Sequence, residues 1–268
     1  MRAAIPSFVV AFALLTGCAT SAPFTTTSKA PEDRTGACEQ RTPEVFAITG
    51  AIDAELARCV RESFAESTRI LVLNSEGGSV EAALDIATVL QGRNLTMRVE
   101  RECNSSCANY FLPLAKRIEI GPEAMVLLHG SIDPWTIDRM RANKPAFMAI
   151  QARNGRTTEQ AEAEFAGLIS KSEALATRQA EFARAHAVAP GWMLFRMSGS
   201  DGIPGLVNHP TAVRAILVEE PMLRSCLPNV EIAPYQATLE RHWTHSYRRL
   251  GLLWERIGPS GRAVCSPS

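Results

Sequence analysis

Apolar positions along the chain alternate between two patterns: short unbroken runs, and longer stretches with helical spacing. EVFAITGAI (Glu44 to Ile52), RILVLNS (Arg69 to Ser75), LTMRVER (Leu95 to Arg101), RIEIG (Arg117 to Gly121) and MVLLHG (Met125 to Gly130) read as strands. Between the first two lies DAELARCVRESFAE, with Leu56, Cys59, Val60 and Phe64 at helical intervals. VEAALDIATVLQ follows the second strand and offers Ala82, Leu84, Ile86 and Leu90 for packing. A further helix is expected just after Cys103, through SSCANYFLPLA and ending near Pro113, with GPEA as the turn between the last two strands. From Thr157 a long helix is expected, opened by a Thr157/Gln160 capping box and carrying Phe165, Leu168, Ile169, Leu175 and Phe182 along one side. A last helical stretch runs from Tyr235 to Ile257.

Strand and helix in strict alternation predict an α/β domain with a mainly parallel sheet and right-handed crossovers. ILVL and MVLL are apolar at every position, as strands covered on both faces should be. Sites in such sheets form beyond the carboxyl ends of the strands. Three pieces of chemistry belong there: the pair Gly77-Gly78 in LNSEGG, the pair Ser105-Ser106 in CNSSC, and His129 closing MVLLHG. A serine hydroxyl needs a base to act as a nucleophile at neutral pH, and imidazole has the matching pKa. Backbone N–H groups at a glycine turn and a helix start can stabilise a developing oxyanion, and a glycine there leaves room for a substrate carbonyl. Read singly, each piece has a plainer use: a tight turn for the glycines, an N-cap for either serine, a structural role for the histidine.

Composition narrows the partners. The 268 residues carry 28 Lys+Arg against 28 Asp+Glu, so neither a basic surface for nucleic acid nor an acidic one for cationic partners is indicated. MRAAIPSFVVAFALLTGC has one positive charge, Arg2, then an apolar stretch short for a bilayer and small residues before Cys18. It reads as a secretion signal over 1–17. LLTGC resembles the bacterial lipobox, which implies that Cys18 is lipidated and becomes the new N-terminus, anchored in the cell envelope and facing the periplasm, with the outer membrane expected. Residues 18–37, rich in Ser, Thr, Ala and Pro, read as a tether. An α/β domain is expected over 38–210 and a helical extension over 211–268.

Six cysteines remain after Cys18, an even number that in an exported protein argues for disulfides. Sequence alone permits 15 connectivities; short separation makes Cys103 with Cys107 the first expectation, and Cys38 with Cys59 and Cys226 with Cys265 would follow. Zinc is the competing use, but C-x-x-x-C lacks a second ligand pair. His242 and His245 can share a helical face, again without a third ligand, so no metal and no cofactor are expected.

LNSEGGSVEAALDIATVL, then CNSSCA opening a helix, then MVLLHG, resembles the Clp protease proteolytic subunit and its exported relatives in the Clp/crotonase superfamily. The match runs roughly from Glu44 to Gly130, and His129 lies 24 residues after Ser105 and 23 after Ser106. The resemblance implies a crotonase-like spiral of βαβ units and a peptide or protein substrate; the long helix and a disulfide-stapled C-terminal extension, read from the residues themselves, are expected to follow it. It implies Ser105 as nucleophile, with Ser106 as the alternative, His129 as general base, and the amides of Gly78 and Ser106 as oxyanion hole, supported by Gly77. For the third member it points to Asp201, with Ser198 and Ser200 as alternatives. Exported peptidases of the superfamily use a Ser-Lys dyad instead, which draws attention to Lys116, although a basic entry to the RIEI strand explains that residue more simply. Glu76 stands where the family has proline, placing a negative charge beside the hole, and Pro113 replaces a small residue. A scaffold that only binds a peptide or partner in the same cleft is the competing reading. If Cys18 is lipidated, Cys18→Ser will abolish metabolic labelling with a fatty-acid analogue and move the protein from the membrane to the soluble envelope fraction.

Overall fold

The unbroken apolar runs become the buried centre of one sheet. The structure, a computed structural model, describes residues 35–122, 124–128, 131–132, 134–193, 215–235, 254–256 and 265. Cys18, His129, Ser198, Ser200, Asp201, His242 and His245 lie outside the described residues. An edge strand β1 (Ala37–Thr42), not anticipated from the sequence, pairs antiparallel with β2 (Val45–Ile52). Then come α1 (Ala54–Ser63), β3 (Ile70–Gly78), α2 (Val80–Leu90) and β4 (Thr96–Asn104), and the three strands β2, β3 and β4 are parallel neighbours. Asp53 caps α1 by accepting from the Leu56 amide at 2.8 Å, and Ser79 caps α2 from the Ala82 amide at 3.3 Å. Phe46, Ile48, Leu71, Leu73, Met97 and Val99 share one face of the sheet and are fully buried, each contributing on the order of 1.5–3 kcal/mol.

The helix expected through SSCANYFLPLA is shorter: α3 spans Ser106–Tyr110, and a 3-10 turn covers Leu112–Leu114. Proline at 113 has no N–H to continue an α-helical ladder. The next strands, β5 (Arg117–Ile120) and β6 (Met125–Leu128), are not a hairpin. Both pair parallel with β4: β5 against Thr96 to Val99, β6 against Glu102 to Asn104. β4 can serve both because it bulges. Leu73 pairs with Val99 and Ser75 with Cys103, so two steps along β3 match four along β4.

α4 (Pro134–Ala142), α5 (Lys144–Arg153) and α6 (Thr158–Ala185) follow. α6 opens with the expected capping box, Thr157 accepting from the Gln160 amide and the Gln160 side chain accepting from the Thr157 amide. After α7 (Pro190–Met193), the C-terminal region is not simply helical. Its described parts are β7 (Ala215–Leu217), α8 (Glu220–Cys226), β8 (Glu231–Ile232) and β9 (Trp254–Arg256), with β9 inside the stretch read as helix. β7 pairs antiparallel with β6, β9 parallel with β7, and β8 parallel with β5. An open parallel edge needs partners for its N–H and C=O groups, and these short strands supply them. The result is a mixed α/β fold with a mostly parallel sheet. Disulfides join Cys38 to Cys59, Cys103 to Cys107 and Cys226 to Cys265.

The strand expected to stop before the glycine pair runs through it. Gly77 and Gly78 pair with Ala51 and Ile52 of β2, after a register shift that follows the Thr49–Asn74 pair. Their φ values, +93° and +152°, favour glycine. A Cβ on Gly78 would stand 2.3 Å from the Ile52 carbonyl oxygen, and one on Gly77 2.6 Å from the Asn104 carbonyl oxygen and 2.7 Å from Ser105 Cβ. The room is taken by the chain's own backbone and not by a substrate carbonyl. Gly78→Ala will therefore cost about 3 kcal/mol or more, read as a fall in the urea midpoint. Gly167→Ala, at a helical position with open space around it, will stabilise by about 0.5–1 kcal/mol.

Candidate functional site

The carboxyl end of β4 turns sharply into α3 at Ser105. That residue has φ +53° and ψ −124°, an uncommon conformation for a residue with a side chain. Such strain costs on the order of 1–3 kcal/mol and persists only where the surroundings enforce it. Here they do so from four sides. The Ser105 amide donates to the Leu127 carbonyl at 2.8 Å, and the Asn109 amide donates to the Ser105 carbonyl at 2.8 Å. The Cys103–Cys107 bridge spans the turn with its Cα atoms 5.2 Å apart. Gly77, lacking a side chain, leaves space for Ser105 Cβ. A strained strand-to-helix turn of this kind lifts a hydroxyl to the rim of a sheet, and Ser105 is half-buried while its neighbours Asn104 and Ser106 are buried.

The two serines differ. Ser106 is 3% exposed, and its Oγ accepts from the Gly78 amide at 2.8 Å and lies 3.2 Å from the Gly78 carbonyl oxygen, to which it donates. The hydroxyl weighed as the alternative nucleophile thus ties α3 to the end of β3. The same bond engages the amide assigned to the oxyanion hole. Next along β3, the buried Ser75 donates to the Gly50 carbonyl at 2.6 Å and accepts from the Gly77 amide at 3.1 Å. Ser75 therefore holds the irregular strand end that the ladder hydrogen bonds leave. Glu76 is exposed.

His129 is the residue after Leu128, the last of β6. The structure places the strand that leads to it directly beside Ser105. The Leu127 carbonyl takes the Ser105 amide, and the Leu127 amide donates to Asn104 Oδ1 at 3.0 Å. Asn104 Nδ2 in turn donates to Glu102 Oε2 at 2.7 Å. Asn104 is the residue beside the candidate site that sequence reading missed, because its long-range partner is a backbone amide 23 positions away.

Lys116 falls at the other end of the sheet. Its amide donates to the Leu95 carbonyl at 2.9 Å, just before β4 begins, and its side chain is exposed. Ten residues of chain separate Leu95 from Ser105, and a strand rises about 3.3 Å per residue. The lysine is the solvated entry to β5 and no partner for Ser105. Among the described residues, no group of three His, Cys, Asp or Glu is placed to hold a metal ion, and no helix is long and apolar enough to cross a membrane.

Asn104→Ala will leave the buried Leu127 amide without its acceptor, costing about 1–3 kcal/mol in chemical unfolding. It will also slow any reaction of Ser105 with an electrophilic probe, whereas Lys116→Ala will leave both unchanged.

No protein-family model matches the chain, and no curated protein matches it. Among solved structures, the chain is similar to a point mutant of ClpP1 from Listeria monocytogenes, with 22% identity and a TM-score of 0.30 over 45% of this chain and 78% of that one.

Proposed function

We propose that this chain is a serine hydrolase of the Clp-protease-like type that cleaves peptide bonds, anchored by lipid on Cys18 and facing the periplasm. The observation that carries the reading is the Ser105 turn: a strained, half-buried serine between β4 and α3, bonded through its amide to Leu127, two residues before His129. The Ser105 side chain makes no cap hydrogen bond, and backbone strain at a polar residue recurs at active sites.

In this reading Ser105 Oγ attacks the substrate carbonyl carbon while its proton passes to His129. The tetrahedral oxyanion forms beside the amides of Gly78 and Ser106. His129 then gives the proton to the leaving amine as the C–N bond breaks, and water, deprotonated by the same imidazole, releases the acyl group from Ser105. Asp201 is assigned the orientation of His129. For the Gly78 amide to join the hole, the Ser106 hydroxyl that holds it has to rotate away.

That same hydrogen bond favours a second reading, in which the scaffold binds a peptide without cleaving it. A hole amide occupied by Ser106, with the exposed carboxylate of Glu76 nearby, suits a neutral ligand better than an oxyanion. A fluorophosphonate probe separates the two. The hydrolase will label at one serine, identified by mass spectrometry, and Ser105→Ala and His129→Ala will each abolish labelling while Lys116→Ala retains it. Folded, oxidised protein that does not label belongs to the binding reading.

A further inference from the structure

The buried face of α6 is interrupted by one amide. Leu175 and Phe182 pack into the core as their spacing requires, but Gln179, between them, is 2% exposed. Its Oε1 accepts from the Tyr110 hydroxyl at 2.6 Å and its Nε2 donates to the Ile132 carbonyl at 2.9 Å. A carbonyl can only accept, so the Ile132 contact fixes which end of the amide points where. Tyr110 is fully buried, with Phe182 edge-on to its ring at 5.7 Å. Burial pushes its phenol well above the ordinary value, so it stays a protonated donor.

The two partners belong to opposite sides of the candidate site. Tyr110 ends α3, the helix that follows Ser105, and Ile132 lies three residues beyond His129. Beside Ile132, Ser131 Oγ donates to the Met193 carbonyl of α7, so Ser131 and Ile132 are held from two helices. We propose, on the basis of the hydrolase reading, that Gln179 is a positioning residue: it pins the segment after His129 to the helix that Ser105 opens. The glutamine amide accepts from the phenol and donates to the carbonyl without carrying a charge or a titratable proton. Leucine fills the space but leaves the buried phenol and the part-buried Ile132 carbonyl unpaired.

The test compares full-length wild type with Gln179→Leu, Tyr110→Phe, the double variant and Leu175→Ala. Leu175→Ala removes a core side chain from the same helix and serves as the control for lost stability. Hydrogen exchange is followed over 124–135, and fluorophosphonate labelling is resolved into KI and kinact. Gln179→Leu will raise exchange over 124–135 and lower kinact about tenfold or more at nearly constant KI, since small misplacements of reacting groups can cost on the order of 100-fold. Tyr110→Phe will have a smaller effect, and the double variant will be no worse than Gln179→Leu alone. Unchanged exchange in Gln179→Leu overturns the pin. An unchanged kinact, or an equal fall in Leu175→Ala, overturns the positioning role while leaving the hydrolase reading intact. Wild-type protein that never labels overturns the hydrolase reading and the positioning role together, with the exchange response then reporting the pin alone.

Discussion

The positive φ at Ser105 is the constraint around which the rim of the sheet is organised. A residue with a Cβ enters this region only under external restraint, and the restraints come from β3, β6 and α3. Gly77 is needed for the same reason, since a side chain there would overlap Ser105 Cβ and the Asn104 carbonyl. Gly78 in turn is pressed against the Ile52 backbone. The glycine pair and the serine turn are thus one packing unit made from two loops, and neither can keep its shape without the other.

Much of this was legible in the sequence, and the limits have physical causes. Unbroken branched runs such as ILVL mark buried parallel strands because both faces are covered, and Thr157 with Gln160 marks a helix start through local bonds alone. β1 escaped notice because ACEQRT is a polar edge strand, defined by its pairing and not by an apolar pattern. The bulge in β4, and with it the division of β5 from β6, depends on register against neighbours far along the chain. The order of LNSEGG and CNSSC brought the glycine pair and Ser105 to one sheet edge beside β6, yet the reason for the glycines came out differently. Asn104 and Gln179 were missed together. Each is a polar residue with a decisive partner far away in the chain, Leu127 for Asn104 and Tyr110 and Ile132 for Gln179, and no spacing rule exposes that.

The site as drawn has an internal tension. Under the hydrolase proposal Ser106 would offer its amide to the oxyanion hole, while its hydroxyl accepts from the Gly78 amide. The same residue would therefore close the hole in the resting protein and open it by a single side-chain rotation, whose barrier is small beside that of peptide hydrolysis. Glu76, exposed and next to the glycine pair in the chain, adds a charge at the edge of this region.

The three disulfides differ in the length of chain they close. Cys103–Cys107 spans 4 positions and Cys226–Cys265 spans 39. Loop-closure entropy assigns about 2 kcal/mol to the first and about 4 kcal/mol to the second. The shorter bridge contributes less to global stability, and its larger effect is on local shape. Its two thiols also meet far more often in an unfolded chain, so under oxidising conditions the covalent ring around Ser105 can close before the sheet has assembled, and the strained turn then enters folding already tied.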